Sequence, residues 1–151
     1  RLGRQPVEDV FENDYKFEFG KGVEVIGGND LTILSTGCVL SDVLDSAKTI
    51  EEQTGKSVRV INIHTLKPID KDIIIKASKE TDLLVTVEDH SIIGGLGSAV
   101  SEVLTEHCPS RLVRIGLNDE FPESGPPTDL YEKYGLSSSQ ISKRVIDELD
   151  K

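Results

Sequence analysis

The stretch Leu83–Leu104, "LLVTVEDHSIIGGLGSAVSEVL", decides the fold. Its first five residues are apolar or β-branched without a break. That is the pattern of a strand covered on both faces. From Leu96 onward, Leu96, Ala99, Val100, Val103 and Leu104 share one face at helical spacing, and Pro109 ends the run. Glycines 94, 95 and 97 stand at the joint. A strand, a glycine turn and a helix in this order form a unit of a parallel sheet.

The same unit recurs along the chain. "LTILS" (31–35), "VRVINI" (58–63) and "RLVRI" (111–115) are further apolar runs, and with "LLVTV" (83–87) they lie about 25–28 residues apart. Helical patterns fill the intervals. Val39, Leu40, Val43, Leu44, Ala47 and Ile50 make one face, closed by Gly55 after "EEQT". In "PIDKDIIIKASK", Asp70 is the N-cap and Ile73, Ile74 and Ala77 face inward. "TDLYEKYG" (128–135) is a short helix closed by Gly135. The last helix opens at "SSSQ", where Ser137 and Gln140 have capping-box spacing, and Ile141, Val145, Ile146 and Leu149 are its stripe.

A fifth strand precedes these, "VEVIGG" (23–28). Only a few residues separate it from 31–35, too few for a parallel crossover, so if the two pair directly they do so antiparallel. The expected fold is a three-layer α/β/α domain with a five-stranded, mostly parallel mixed sheet whose first strand is antiparallel. Residues 1–20 are polar, lack a core pattern and read as a linker. Residues 21–151 form the domain.

Charge narrows the function classes. Twenty-seven acidic against 17 basic residues give a net −10. Such a surface repels nucleic acid and anionic lipid. No apolar run approaches the ~20 residues that span a bilayer, and no secretory pattern opens the chain. Cys38 and Cys108 are far apart with no CxxC spacing, which fits a reduced, cytoplasmic protein. His64, His90, His107 and the cysteines show no metal-ligand spacing, so no metal site is expected. The chain has no Met and begins with Arg1, which reads as a piece of a longer polypeptide.

In an open α/β sheet, ligands bind beyond the carboxyl ends of the strands. That rim holds Thr36–Cys38, His64–Pro68, Glu88–Gly97 and Gly116–Gly125. Glu88, Asp89, His90 and His64 are the candidates for acid–base work, with helix capping and side-chain pairing as the alternative roles. "GGLGS" follows a strand and opens a helix, which is where a phosphate loop sits. It is neither GxGxxG nor GxxxxGK[ST], and Glu88 and Asp89 would repel a phosphate. The glycines alternatively let the helix lie close to the sheet. Cys38, in "STGCVLSD", stands at a helix N-terminus, which can lower a thiol pKa. The other reading is a half-buried small residue.

"GKGVEVIGGNDLTILSTG", "VRVINIHTLKPID", "LLVTVEDHSIIGGLGSAVSEVL", "FPESG" and "LYEKYGLSS" occur in this order and at this spacing. Together they resemble the C-terminal domain of transketolase over nearly the whole chain. The likeness is greatest to transketolases that carry EDH or EEH, GGLGSAV, ESG and YGL in this order, including those encoded as split halves. Related domains in 1-deoxy-xylulose-5-phosphate synthase and in the β-subunit of 2-oxoacid dehydrogenase E1 share "LKPID" and a GGFG-like turn but usually lack the His of "EDH".

The resemblance implies a thiamine-diphosphate enzyme. It would transfer a two-carbon ketol unit between ketose and aldose phosphates in the pentose phosphate pathway. Thiamine diphosphate and Mg²⁺ would bind between an N-terminal domain and a pyrimidine-binding domain, with no cofactor, metal or catalytic residue on this chain. This chain would then be structural and dimer-forming, and inactive alone. "LGRQPV" resembles the end of the pyrimidine-binding domain, and carried over, Arg4 is the ligand of the substrate phosphate. The alternatives are a domain of the synthase or of the E1 β-subunit, or a non-catalytic interaction or regulatory module.

Overall fold

The computed structural model describes residues 6–11, 15–149 and 151. The strands are β1 (Val23–Ile26), β2 (Leu31–Thr36), β3 (Val58–Asn62), β4 (Leu83–Ser91) and β5 (Leu112–Leu117). The helices are α1 (Leu40–Thr54), α2 (Lys71–Glu80), α3 (Leu96–His107), α4 (Pro127–Lys133) and α5 (Ser138–Leu149). The five strands form one sheet in the order β1-β3-β2-β4-β5. β1 is antiparallel to β3, and all other pairs are parallel. This is the expected α/β/α architecture.

Side-chain alternation divides the core in two. Leu31, Ile33, Val85 and Val87 face α1 and α5, where Val43, Ala47, Ile50, Ile141 and Val145 complete one cluster. Leu34, Ile61 and Leu84 face α2 and α3, against Ile74, Ala77, Leu96, Val100 and Val103. Both faces of the central strands are therefore dry, which is why their sequences are continuously apolar. Among the described residues no helix is long and apolar enough to cross a membrane.

The partner of β1 corrects the direct pairing considered for 23–28 and 31–35. β1 is antiparallel as expected, but it pairs with β3. β2 has a parallel neighbour on each side and no free edge to offer. The chain reaches β2 by passing over the start of β3. At Gly28 a side chain would meet the Val58–Arg59 backbone, with its Cβ 2.8 Å from the Val58 carbonyl oxygen. Asp30 then fastens the crossing, its Oδ2 accepting from the N–H and the hydroxyl of Ser57, both at 2.7 Å.

The caps follow the sequence with two additions. Asp70 accepts from the Ile73 N–H at the start of α2, and its other oxygen accepts from Gly22 N at 3.0 Å, holding the entry to β1. Ser137 accepts from the Gln140 N–H, whereas the Gln140 side chain donates to Glu132 at 2.7 Å, so only half of the capping box forms. Val10 and Phe11, in the segment read as a linker, pack against the cluster under α1 and α5.

Candidate functional site

β2 leads into α1 on one face of the sheet, and β4 leads into α3 on the other. The two connections part at the carboxyl ends of these neighbouring strands, which is the topological switch point of an open α/β sheet. A cleft of about 460 Å³ lies there. Thr36, Cys38, His64, Leu66, Glu88, Asp89, His90, Gly94 and Gly95 line it. The structure thus gathers every candidate that the sequence placed on the rim of β2, β3 and β4.

What those groups do differs from the acid–base reading. β4 runs on to Ser91, with an irregular register against β5 between Val87 and Ser91. Glu88 is therefore a strand residue pointing at α3, and it is 1% exposed. Its carboxylate accepts from Leu96 N at 2.7 Å and from Gly97 N at 2.8 Å. These are the first amides of α3, the donors that a phosphate would use at a helix N-terminus. Gly94 N is satisfied by Ser98 Oγ at 2.9 Å. The phosphate-loop position is real, and the protein fills it with its own carboxylate. Sequence reasoning took Glu88 as repelling an anion there, whereas it stands in for one.

Close packing explains the glycines. At Gly95 a Cβ would collide with the Glu88 carboxylate, and at Gly97 it would lie 2.7 Å from Arg114 Cδ and 2.9 Å from Thr86 Oγ1. The first turn of α3 can meet the sheet only without side chains at these positions.

Each cleft histidine has its Nδ1 engaged, whereas His64 Nε2 is buried without a hydrogen-bond partner among the described residues. His90 Nδ1 lies 3.0 Å from the Ser91 carbonyl oxygen, so Nδ1 carries the proton that it donates. His64 Nδ1 pairs with Thr65 Oγ1 at 2.8 Å. The Phe17 ring lies over His64 with 4.6 Å between centroids. Burial, and then the charge of Asp89, push the Cys38 thiol above its ordinary pKa. The helix-terminus effect that would have activated this thiol is outweighed, so Cys38 is a half-buried small residue.

The residues do not fit thiamine diphosphate. The α3 N-terminus in the cleft is closed by Glu88, and Asp89 stands beside it in the lining. Among the described residues no group of three or more His, Cys, Asp or Glu side chains could hold a metal ion. Arg4, the phosphate ligand implied by the resemblance, lies outside the described residues.

Residues 20–141 match the family model described as transketolase, C-terminal domain. The whole chain aligns with a putative transketolase C-terminal section of Methanocaldococcus jannaschii at 42% identity over 154 residues. The chain belongs to the transketolase C-terminal domain family. It spans about half of that relative, 48% of its length. The family domain also occurs in a 1-deoxy-D-xylulose-5-phosphate synthase of Caldanaerobacter subterraneus, 35% identical over 131 residues, which are 86% of this chain and 21% of that protein. A solved structure described as a split gene transketolase, inactive β4 tetramer, superposes with a TM-score of 0.90 at 42% identity. The match covers 96% of this chain and 47% of that one.

Proposed function

We propose that this chain is the C-terminal section of a transketolase that moves a two-carbon ketol unit from a ketose phosphate to an aldose phosphate in the cytoplasmic pentose phosphate pathway. The observation that carries the reading is the end-to-end alignment with a transketolase C-terminal section at 42% identity. The 35% identity to the synthase covers a smaller part of the chain. Residues 1–20 are then the link from a pyrimidine-binding domain, in the same chain or in a separate subunit, and residues 21–151 are the C-terminal domain.

The division of labour follows from the chain's own chemistry. The cofactor diphosphate and its Mg²⁺ are assigned to the N-terminal and pyrimidine-binding domains; the carboxylate of Glu88 on the first amides of α3 supports this assignment. The carbanion chemistry is the cofactor's. The contribution of this chain is a rigid α/β/α body for packing and homodimer assembly, and Arg4 at its junction for the substrate phosphate. A guanidinium offers phosphate oxygens a two-pronged fork.

The test is reconstitution. The chain alone, and the chain with its thiamine-binding domains, are assayed with thiamine diphosphate and Mg²⁺ for ketol transfer from xylulose 5-phosphate to ribose 5-phosphate. Activity only in the reconstituted enzyme supports the proposal. Condensation of pyruvate with glyceraldehyde 3-phosphate in place of ketol transfer assigns the chain to the synthase and overturns it. Calorimetric titration of the isolated chain with the cofactor gives a second check, with no binding heat expected.

A further inference from the structure

The carboxyl end of the sheet differs from the rest of the surface in its apolar side chains. Among the described residues the exposed large hydrophobics are Val7, Phe17, Phe19, Leu66, Ile93 and Phe121, and all of them stand at this end. Leu66 follows β3 and lines the switch-point cleft. Ile93 lies in the turn between β4 and α3, next to Gly94 of the cleft lining. Phe121 follows β5, and its side chain is fully exposed. β1 is antiparallel, so it starts where β3 ends, with Val23 opposite Asn62. The segment before β1 therefore crosses the same end. Its Phe17 ring lies over His64, and Gly20 N, one residue past Phe19, donates to Thr65 Oγ1 at 3.4 Å. Val7 lines a cleft of about 380 Å³ together with Cys38, just past β2, and Pro127, at the start of α4.

Single exposed hydrophobics scattered over a surface are ordinary, whereas a set gathered in one place marks an interface. The opposite end of the sheet is the control. Its turns, at 27–30, 55–57, 81–82 and 109–111, carry no exposed large hydrophobic, and neither do the outer faces of the helices among the described residues.

On the reading of this chain as the C-terminal section of a transketolase, we propose that the carboxyl end of the sheet is the docking face for the pyrimidine-binding domain that precedes it. That domain seats on the apolar loops and closes the switch-point cleft. Size favours this occupant. The chain spans 48% of the Methanocaldococcus jannaschii relative and 47% of the split transketolase chain, so each of those polypeptides has room for a second unit as large as this one. The path of the chain favours it too. A C-terminal domain is entered through its first residues, and the described residues start at this end, with Pro6 in the cleft beside Cys38. The entering segment carries Val7, Phe17 and Phe19, half of the apolar set. It is also anchored, because Val10 and Phe11 pack against the core cluster under α1 and α5. A connector held this close to the body brings the preceding domain over the loops that the connector crosses. The switch-point cleft becomes a seam between domains, and its helix terminus is already filled by Glu88.

The test compares amide hydrogen exchange in this chain alone and in the same chain carrying its pyrimidine-binding domain. Exchange at 64–67, 91–95 and 118–123 should slow by about tenfold or more in the longer polypeptide, and exchange at 55–57 and 109–111 should stay the same. The double variant Ile93→Ser, Phe121→Ser changes only exposed side chains, so the chain alone should keep its melting point. In the longer polypeptide it should lose most of the protection at these loops. Protection that appears in the chain alone as its concentration rises makes a second copy the occupant and overturns the assignment. Protection confined to other surfaces, or undiminished in the double variant, overturns it as well. No substrate enters this readout. An enzyme that condenses pyruvate, and so refutes the ketol-transfer reading, still leaves the docking face to be decided by exchange.

Discussion

Glu88→Gln tests whether the carboxylate in the phosphate-loop position holds the protein together. The wild-type oxygens accept from Leu96 N and Gly97 N at 2.7 and 2.8 Å, inside a site that is 1% exposed. Glutamine keeps one accepting oxygen and turns an NH₂ group against the second donor. The loss is one charge-assisted hydrogen bond, ~1.5–3 kcal/mol, and the pairing of a negative charge with the α3 terminus, ~0.3–1 kcal/mol and more when buried. Together they predict a cost of about 2–4 kcal/mol. At about 2–4 °C per kcal/mol for a chain of this size, the melting point falls by about 5–15 °C. Glu88→Ala strands both amides and costs about 3–5 kcal/mol. It also empties an anion seat, so sulfate should restore stability to this variant more than to the wild type at equal ionic strength. Urea unfolding measures both effects. A cost below about 0.5 kcal/mol for Glu88→Gln, far under the lost bond, or an alanine variant indifferent to sulfate, refutes the account of α3.

Further outcomes follow from other sites. Gly97→Ala gains about 1 kcal/mol of helix propensity but presses on the fully buried Thr86; the net effect in urea should be a loss of about 1–2 kcal/mol, and a neutral result would mean that the close approach of α3 is not required. Burial is the largest influence on the half-buried Asp42 carboxyl and raises its pKa, against the Ser138 N–H that it accepts. The folded state therefore favours protonated Asp42, a contribution present at low pH and lost as pH rises through the raised value. Asp42→Asn keeps an acceptor for Ser138 and should be the more stable protein at pH 7, with the gap closing below the carboxylate range, ~3.9; a pH-independent gap refutes this. Alkylation of Cys38 by iodoacetamide should be slower at pH 7 than that of a free cysteine, with its pH midpoint displaced upward, and a thiol reactive below pH 7 would contradict the burial argument. In the reconstituted enzyme, Arg4→Ala should raise KM for a phosphorylated ketose about 10- to 100-fold, as for a lost charged hydrogen bond, with little change for an unphosphorylated donor; equal effects on both would remove Arg4 from the phosphate site.

The sheet was legible because burial on two faces leaves an unmistakable trace. "LTILS" and "LLVTV" are continuous apolar runs, and they are the two central neighbours β2 and β4. The cue separating centre from edge was present as well: β1 carries Glu24 on an exposed position, whereas the first five residues of β2 are all buried. Proximity in sequence suggested direct β1–β2 pairing, and only the crossing at Gly28 shows otherwise. The rim residues were identified from strand ends alone, yet their roles were not. Whether a glutamate repels an anion or replaces one depends on where the helix after it begins, and the Glu88–Leu96 bond closes over the strand end and a turn at 92–95 whose geometry no periodicity encodes.

The pairing of β1 with β3 also bears on solubility. All five residues of β3 are buried, and β1 is all that covers its outer side. Without β1, an apolar strand of Val58, Val60 and Ile61 would stand at the sheet margin with a free ladder of peptide groups, which is a template for self-association. A truncation that begins at Leu31 keeps both core clusters nearly intact and still removes this guard. Such a fragment should be lost to aggregates rather than yield a smaller stable domain.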